Sequence, residues 1–190
     1  MKKSELRRTY LEKRSAFTPD ERSVASRAIA DRFFDSFDLA GVRKLHCYLS
    51  IDKFNEVDTS LIYARIWREM ATVQIVCPQV DRQADELRHV EIGPDTQYTE
   101  SKWGIREPAD GRVVGPEEID LVLVPLLCLD GDGYRVGYGK GFYDKFLSRC
   151  RPDCVTVGLS FFPPVEQIDD IHDHDVPLDM CILPTELITF

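Results

Sequence analysis

The sequence predicts an α/β fold in which one mostly parallel sheet carries helices on both faces, a three-layer sandwich built by a single domain of residues 1–190. The first observation is a continuous apolar run, IDLVLVPLL at 119–127, which is typical of a strand buried on both faces. The second is that predicted strands alternate with predicted helices, the order that gives parallel strands with helical crossovers. The third is length, because 190 residues without repeats or low-complexity tracts suffice for one large core and are few for two.

The helices are predicted from apolar periodicity and from capping residues. The segment Thr18-Pro19-Asp20-Glu21 is a capping box with proline at the first helical position. The helix that it begins has four apolar residues predicted on its inner face: Val24, Ala28, Ile29 and Phe33. Asp58 or Thr59 caps a later helix. In chain order the helices are predicted at residues 3–17, 19–36, 59–70 and 142–149.

The other strands are predicted from shorter apolar runs bounded by glycine, proline or polar residues. In chain order they are residues 45–50, 73–78, 87–92 at the sheet edge, 154–160 and 179–183. Pro78 is expected to end the second of them, because proline cannot donate to a strand ladder. Residues 93–118, rich in glycine, proline and charge, are predicted to be a loop with little regular structure.

The segment RVGYGKGFYD, residues 135–144, lies between the most apolar strand and the last predicted helix. Its glycines, Gly137, Gly139 and Gly141, have no Cβ, so backbone N–H groups can turn toward a bound anion. Lys140 adds a mobile cation and Arg135 a forked donor, while Asp144 can hold Mg²⁺ that bridges phosphate oxygens. The segment predicts a cradle for nucleotide phosphates, although it is neither a Walker A loop nor a dinucleotide fingerprint. The alternative is a plain glycine turn, with Asp144 favouring only the helix dipole.

The charge distribution narrows the choice of ligand. The formal net charge of −9 argues against nucleic-acid binding, which depends on neutralising many phosphates. The first predicted helix is nevertheless basic, and Lys3, Arg7, Tyr10 and Arg14 share one of its faces. Like charges on one face repel one another unless an anion lies among them, so this face favours a compact anion such as a triphosphate. A solvated charged face is the alternative.

The cysteines and the apolar runs indicate a cytoplasmic protein. The six cysteines lie mostly in apolar runs and are predicted to be reduced core residues without signs of activation. Zinc at Cys150 and Cys154, or a metal at 172–174, is not favoured, because matched ligands are missing elsewhere. No apolar run approaches the roughly 20 residues that cross a bilayer, and the N-terminus lacks the apolar stretch of a secretory signal. We expect a monomer.

Several segments, in this order, resemble the 5-formyltetrahydrofolate cyclo-ligases, also called 5,10-methenyltetrahydrofolate synthetases. They are KSELR with Arg14, YLS followed by NEVDT, GIREP, and the long DLVLVPLLCLDGDGYRVGYGKGFYDKFL, and together they cover nearly the whole chain. The resemblance implies an enzyme that uses ATP and Mg²⁺ to convert 5-formyltetrahydrofolate to 5,10-methenyltetrahydrofolate, with release of ADP and phosphate. The chain departs from the family between Gln167 and His174, where a longer, proline-containing stretch is usual.

The resemblance, with the basic helix face, also implies roles for particular residues. The expected ATP-binding residues are Lys3, Arg7, Arg14, Arg135, Gly137, Tyr138, Gly139, Lys140, Gly141, Phe142 and Tyr143. The expected folate-binding residues are Ile51, Glu56, Trp103, Tyr138, Gly139, Lys140, Gly141 and Phe142, although Trp103 suits a buried core position equally well. Asp144 and Asp175 are the expected magnesium ligands, and Lys140 and Arg135 the expected catalytic cations.

The expected chemistry is transfer of the γ-phosphoryl group to the formyl oxygen, attack by N10, and departure of phosphate as the ring closes. Such a transfer needs positioning and charge neutralisation more than a protein nucleophile, so no covalent intermediate is expected. Two alternatives remain open: an isomerase or CoA-transferase-like enzyme on a related architecture, and a non-catalytic folate- or nucleotide-binding module.

Overall fold

The computed structural model describes residues 1–81, 83–100 and 106–190, and the described strands form one large sheet and two small ones. The large sheet has eight strands in the order β12-β11-β10-β7-β1-β2-β3-β6. Pairing is parallel from β11 to β2 and antiparallel for β12, β3 and β6, so the predicted mostly parallel α/β sheet is confirmed. The strands are β1 Lys44–His46, β2 Gln74–Asp81, β3 Glu86–Ile92, β4 Tyr98–Glu100, β5 Arg106–Pro108, β6 Val113–Val114, β7 Leu121–Pro125, β8 Cys128–Leu129, β9 Arg135–Val136, β10 Val155–Leu159, β11 Met180–Ile182 and β12 Leu187–Thr189.

Helices cover both faces of the large sheet. They are α1 Lys3–Ser15, α2 Pro19–Ser36, α3 Ser60–Glu69 and α4 Phe142–Leu147, with short 3-10 turns at Asp52–Phe54 and Pro116–Glu118. Alternate residues of β7 enter different cores: Leu121 and Leu123 pack with α2 and α3, whereas Val122 and Val124 pack with α4. The strand is therefore buried on both faces, as its apolar run predicts.

A third apolar cluster holds α1 against the carboxyl ends of the central strands. Leu6 and Tyr10 of α1 pack there with Leu127, Val136 and Ile168. This contact fixes the orientation of α1 and turns its basic face toward the segment between β9 and α4. Among the described residues no helix is long and apolar enough to cross a membrane.

The second strand does not end at Pro78, as the sequence suggests, but continues to Asp81. Val76 accepts the N–H of Cys47, so Val76 and every second residue of β2 face β1. The pairing of β1 with β2 ends at His46, opposite Val76. Proline is tolerated because its missing N–H faces the side where the neighbouring strand has already ended.

Two further predictions were wrong in detail. Residues 93–118 are not simply a loop, because β4, β5 and β6 lie within them. The inner face of α2 is formed by Ser26, Ile29, Ala30 and Phe33, while Val24 is 69% exposed and Ala28 is only partly buried. The hydroxyl of Ser26 accepts the N–H of Asp58, and this pairing allows a polar residue to occupy the buried stripe.

Candidate active site

The glycine-rich segment follows a short hairpin rather than the central strand itself. Strands β8 and β9 pair with each other between β7 and α4, and residues 137–141 leave from β9. Gly139 and Gly141 have φ of 87° and 68°, a region that side chains with a Cβ rarely adopt. A Cβ at Gly139 would lie 3.0 Å from the guanidinium carbon of Arg7. The segment therefore needs glycine both for its turn and for close contact with α1.

Several hydrogen-bond donors of this segment have no partner among the described residues. Within the described part of the chain, no acceptor is found for the N–H groups of residues 137–141. Lys140 is exposed and makes no hydrogen bond or ion pair with the described residues. Arg7 donates from Nε to the carbonyl oxygen of Gly137 at 2.9 Å, which orients its guanidinium along the loop. This arrangement suits an anion that accepts from main-chain N–H groups and from two cations.

Lys3 pairs with Asp175 across 172 residues of sequence. Asp175 also accepts the N–H of His172 at 2.6 Å through the same oxygen, Oδ2. Burial favours the neutral acid, but the hydrogen bonds from Lys3 and His172 outweigh it and hold the pKa of Asp175 below its ordinary value. The basic face of α1 thus has a counter-ion within the protein, which corrects the expectation that a bound triphosphate must supply it.

Arg135 and Asp144 form a second ion pair. Arg135 Nη2 lies 2.8 Å from Asp144 Oδ1, and its Nη1 donates to the carbonyl oxygen of Val176 at 2.5 Å. The N–H of Val176 donates to the same Asp144 oxygen at 3.1 Å. Because the Arg135 side chain is only 5% exposed and engaged on both sides, it holds Asp144 next to residues 175–176 rather than presenting a donor to solvent. Asp144 and Asp175, predicted to act together, are brought to the same place.

A hydrogen-bonded chain of Arg14, Tyr138 and Glu56 links α1, the glycine segment and the loop after β1. Arg14 donates to the Tyr138 hydroxyl, which donates to Glu56 Oε1 at 2.5 Å, and the N–H of Ile51 donates to Glu56 Oε2 at 2.7 Å. Glu56 is 2% exposed, and its burial raises its pKa, although Tyr138, Arg14, the N–H of Ile51 and Arg22 all favour the carboxylate. Arg14 is itself buried and also donates to the carbonyl oxygen of Leu126, so its contact is with Tyr138 and not with solvent.

Sequence reasoning missed the residues that hold Glu56 in place. Asn55 adopts the left-handed conformation at φ 46° and donates to the carbonyl oxygens of Arg14 at 2.9 Å and Phe17 at 3.3 Å. Arg22 donates to the carbonyl oxygen of Glu56 at 2.7 Å. An asparagine next to a candidate acid was a usable signal, since asparagine tolerates this conformation and can tie a loop to a helix end.

A family model decides which class of protein this site belongs to. The model for the 5-formyltetrahydrofolate cyclo-ligase family matches residues 1–184. The chain belongs to the 5-formyltetrahydrofolate cyclo-ligase family. The resemblance read from the sequence is confirmed, and the isomerase-like and non-catalytic alternatives are not favoured.

Relatives of the cyclo-ligase family align along most of their length. The 5-formyltetrahydrofolate cyclo-ligase of Mus musculus is 25% identical over 187 residues, covering 92% of this chain and 89% of the relative. The relative named mitochondrial in Arabidopsis thaliana is 26% identical over 96% of this chain and 74% of its own length. The NMR structure of the 5,10-methenyltetrahydrofolate synthetase of Aquifex aeolicus superposes with a TM-score of 0.84 at 27% identity, covering 100% of this chain and 93% of that one.

The remaining expected site residues are Trp103, Phe142 and Tyr143. Trp103 lies outside the described residues. Phe142 is partly buried at the start of α4. The Tyr143 hydroxyl is buried without a hydrogen-bond partner in the described part of the chain, and burial raises its pKa well above the ordinary value. The Tyr143 ring lies 6.0 Å from that of Phe146, in the core beneath the glycine segment.

Proposed function

We propose that this chain performs the reaction of its family at the glycine segment, with the phosphates of ATP between Arg7 and Lys140 and the folate against Glu56. Family membership makes it an enzyme that converts 5-formyltetrahydrofolate to 5,10-methenyltetrahydrofolate with ATP as co-substrate. The observation that carries the assignment of the site is Tyr138. It lies between Gly137 and Gly139, and its hydroxyl is bonded to Glu56, so one residue connects the two proposed binding regions.

The nucleotide side is proposed from the free donors. The Arg7 guanidinium lies against Gly137 and Gly139, and Lys140 belongs to the same segment. Neither cation has a carboxylate partner among the described residues, and no acceptor there takes the N–H groups of residues 137–141. Negative charge on a transferring phosphoryl group is spread over its equatorial oxygens, and fixed donors stabilise it without reorganising. Lys140 is proposed as the catalytic cation, while Arg135 is assigned a positioning role because its donors are engaged by Asp144 and Val176.

Magnesium fits the two carboxylates. Asp144 uses Oδ1 for Arg135 and Val176, and Asp175 uses Oδ2 for Lys3 and His172, so each retains one oxygen without a partner among the described residues. Mg²⁺ can be bound through one or two carboxylates, with phosphate oxygens and water completing its coordination. Among the described residues there is no group of three or more side chains that could hold a metal ion, so protein side chains would supply only part of that coordination. When bound there, the ion would neutralise charge on the triphosphate.

The folate side is proposed from Glu56. A buried carboxylate with a raised pKa can accept hydrogen bonds from the ring N–H and amino groups of a pterin, which would satisfy it as Tyr138 does. Phe54 lies two residues before this acid, and its ring is 5.3 Å from that of Tyr138, so it is proposed to offer an apolar surface for the substrate. Ile51 contributes through its main-chain N–H, which fixes the acid at 2.7 Å.

With both substrates so placed, the protein has to align the terminal phosphoryl group with the formyl oxygen and screen its charge. Transfer converts that oxygen to a phosphate leaving group, N10 of the folate attacks the formyl carbon, and phosphate departs as the new C–N bond closes. The residues of the proposed site act by binding and by charge. The fully buried thiols Cys47, Cys77, Cys128 and Cys181 have pKa values raised by burial, which makes them poor nucleophiles.

The experiment follows methenyl absorbance with purified protein, 5-formyltetrahydrofolate, ATP and MgCl₂, and omits each component in turn. Lys140→Ala should lower kcat by about 10²–10³-fold, the typical cost of removing one charge-stabilising donor from a transition state. Lys145→Ala is the matched control, because Lys145 is a nearby exposed lysine that pairs with Asp85 and not with the glycine segment. Equal activity of the two variants would contradict the role of Lys140.

We also propose that the chain is one domain, acts as a monomer in the cytoplasm and binds no nucleic acid. The net charge of −9 supports the absence of nucleic-acid binding. The scattered positions of the exposed large apolar side chains support the monomer; these are Met1, Val24, Val113 and Phe190. Size-exclusion chromatography with light scattering tests the monomer.

A further inference from the structure

Asn55, the residue after the turn Asp52–Phe54, completes a closed ring of contacts around the acid that is proposed to bind folate. Its amide nitrogen donates to the carbonyl oxygen of Arg14 at 2.9 Å. The guanidinium of Arg14 donates to the Tyr138 hydroxyl, which donates to Glu56 Oε1 at 2.5 Å. Glu56 is the next residue after Asn55, so the peptide bond between them completes the ring. Arg14 therefore holds this pair of residues twice, through its main chain and through its side chain.

The four-residue ring joins three parts of the chain that are distant in sequence. Asn55 lies 41 residues from Arg14, and Tyr138 lies 82 residues from Glu56. The ring is also attached to the central sheet, because Arg14 donates to the carbonyl oxygen of Leu126, directly after β7, at 3.2 Å. The position of the proposed folate acid is thus fixed relative to α1 and to the glycine segment at once.

The conformation of Asn55 suits this contact. It has φ 46° and ψ 47°, the left-handed region, which asparagine tolerates better than most residues with a side chain. Its main-chain N–H donates to the carbonyl oxygen of Asp52 at 2.9 Å and ends the turn. Its amide nitrogen carries two hydrogens and donates also to the carbonyl oxygen of Phe17 at 3.3 Å, so its side-chain donors are directed at the carboxyl end of α1 and the residues after it.

The ring matters to the proposed reaction because that reaction joins groups held on its opposite sides. The formyl group belongs to the folate proposed to bind Glu56, whereas the γ-phosphoryl group belongs to the ATP proposed to bind the glycine segment with Arg7. Arg7 contacts this segment through the carbonyl oxygen of Gly137, one residue before Tyr138. Transfer between two bound groups depends on their alignment, and an error of about 1 Å can lower the rate by about 10²-fold.

We propose that Asn55 is a positioning residue of the reaction, which sets the distance between the folate acid and the nucleotide segment by closing the four-residue ring. The inference rests on the proposed function. In an Asn55 variant the groups that bind each substrate, Glu56, Arg7 and Lys140, are all retained, so kcat should fall more than either KM rises. A substitution at Tyr138 opens the same ring, so its effect and that of an Asn55 substitution should not be independent.

The first experiment compares the steady-state kinetics of Asn55→Gly with those of the wild type. Glycine adopts positive φ without strain, so this variant loses the amide and keeps the turn. We expect kcat to fall about 10–100-fold, with smaller changes in the KM for 5-formyltetrahydrofolate and in the KM for ATP. Asp85→Gly is the matched control and should retain the wild-type kcat. Asp85 is the other non-glycine residue with positive φ in the described chain, at 51°, and it lies exposed between β2 and β3.

Asn55→Asp provides a second variant, because aspartate also tolerates this conformation but its carboxylate has no N–H to donate. It should lose at least as much kcat as Asn55→Gly. Circular dichroism and urea unfolding check the folded state of each variant, so that a loss of kcat in a folded protein is separated from a loss of structure.

A double-variant cycle with Tyr138→Phe tests the ring itself. Because either substitution opens the ring, the loss of kcat/KM for 5-formyltetrahydrofolate in Asn55→Gly, Tyr138→Phe should be smaller than the product of the two single losses. A wild-type kcat in folded Asn55→Gly, an equal loss in Asp85→Gly, or single losses that multiply would each overturn the proposal while the wild type remains active. A wild type without turnover would instead refute the proposed function on which the inference rests.

Discussion

Acidification from pH 7.5 to 5.5 should destabilise this protein because two histidines are buried as neutral rings beneath α4. His46 is completely buried and His89 is 4% exposed, with their ring centroids 5.1 Å apart and 4.7 and 3.9 Å from that of Phe146. No partner is found in the described part of the chain for either ring nitrogen of His46 or for Nδ1 of His89. Burial, and secondarily the charge of His89, lowers the pKa of His46 well below 6.5, and burial with the charge of Arg149 lowers that of His89 to about 4.

The size of the effect follows from proton linkage. In the unfolded chain both rings take up a proton near their ordinary pKa of 6.5, while in the folded protein they stay neutral. Stability is therefore fully present above pH 6.5 and is lost as the pH falls toward the folded pKa values. Between pH 7.5 and 5.5 the pair should cost about 3 kcal/mol, a large share of the roughly 5–15 kcal/mol that stabilises a typical domain.

The assay is urea unfolding at pH steps between 7.5 and 5.5. Glu56 acts in the opposite direction, because its raised pKa makes the folded chain take up its proton first. The wild type is therefore compared with His46→Phe and with the double variant His46→Phe, His89→Phe. All three proteins contain Glu56, so its contribution to the pH dependence cancels in the comparison. The pH-dependent loss should fall by about half in the first and nearly vanish in the second, whereas His172→Asn, on an exposed loop, should behave as wild type. Identical pH dependence in the wild type and the double variant would refute the reasoning.

Three further predictions concern the site. Glu56→Gln should raise the KM for 5-formyltetrahydrofolate about 10–100-fold, with a smaller change in the KM for ATP, because a charged acceptor is lost. Steady-state kinetics with each substrate varied checks this, and an unchanged folate KM would contradict it. Asp144→Asn should raise the magnesium concentration needed for the half-maximal rate, measured by metal titration, because it removes one of the two proposed carboxylate ligands. The melting temperature is measured alongside, because the same change leaves Arg135 without its buried partner. Tyr138→Phe should lower the free energy of unfolding by about 1–3 kcal/mol, since Arg14 and Glu56 each lose a buried partner, and a neutral result in urea unfolding would argue against the chain of hydrogen bonds.

The sequence predicted the central strands of the large sheet better than its edge strand β12 and the small β8–β9 hairpin. The apolar run around Leu121–Pro125 predicts a strand buried on both faces, and β7 is such a strand. The β8–β9 hairpin and β12 were missed because two or three residues carry too little periodic signal to be recognised. Their pairing is set by tertiary packing, which local sequence does not encode.

The residues of the site could likewise be predicted from the sequence, but their tertiary contacts could not. The candidate acids and cations could be named from residue type and from resemblance, and the structure brings Lys3, Arg7, Tyr138, Glu56 and Asp175 to one region. Their pairing could not be read from the sequence, because partners such as Lys3 and Asp175 are 172 residues apart and a charge pattern on one helix does not show what faces it. The solvated-face alternative is nevertheless excluded, since α1 turns these cations inward.

The pairing of charges explains how an acidic chain can present a site for a polyanion. Lys3 and Arg135 are neutralised by Asp175 and Asp144, and the charge of Arg14 is opposed by nearby Glu56. Arg7 and Lys140 remain without a carboxylate partner among the described residues, so the positive potential is concentrated beside the glycine segment. In the proposed function, a triphosphate that carries its own metal ion would engage these two cations, and the free oxygens of Asp144 and Asp175 would take the metal. The two carboxylates hold Arg135 and Lys3 in place within the protein, and with the proposed metal bound they would also make nucleotide binding depend on it.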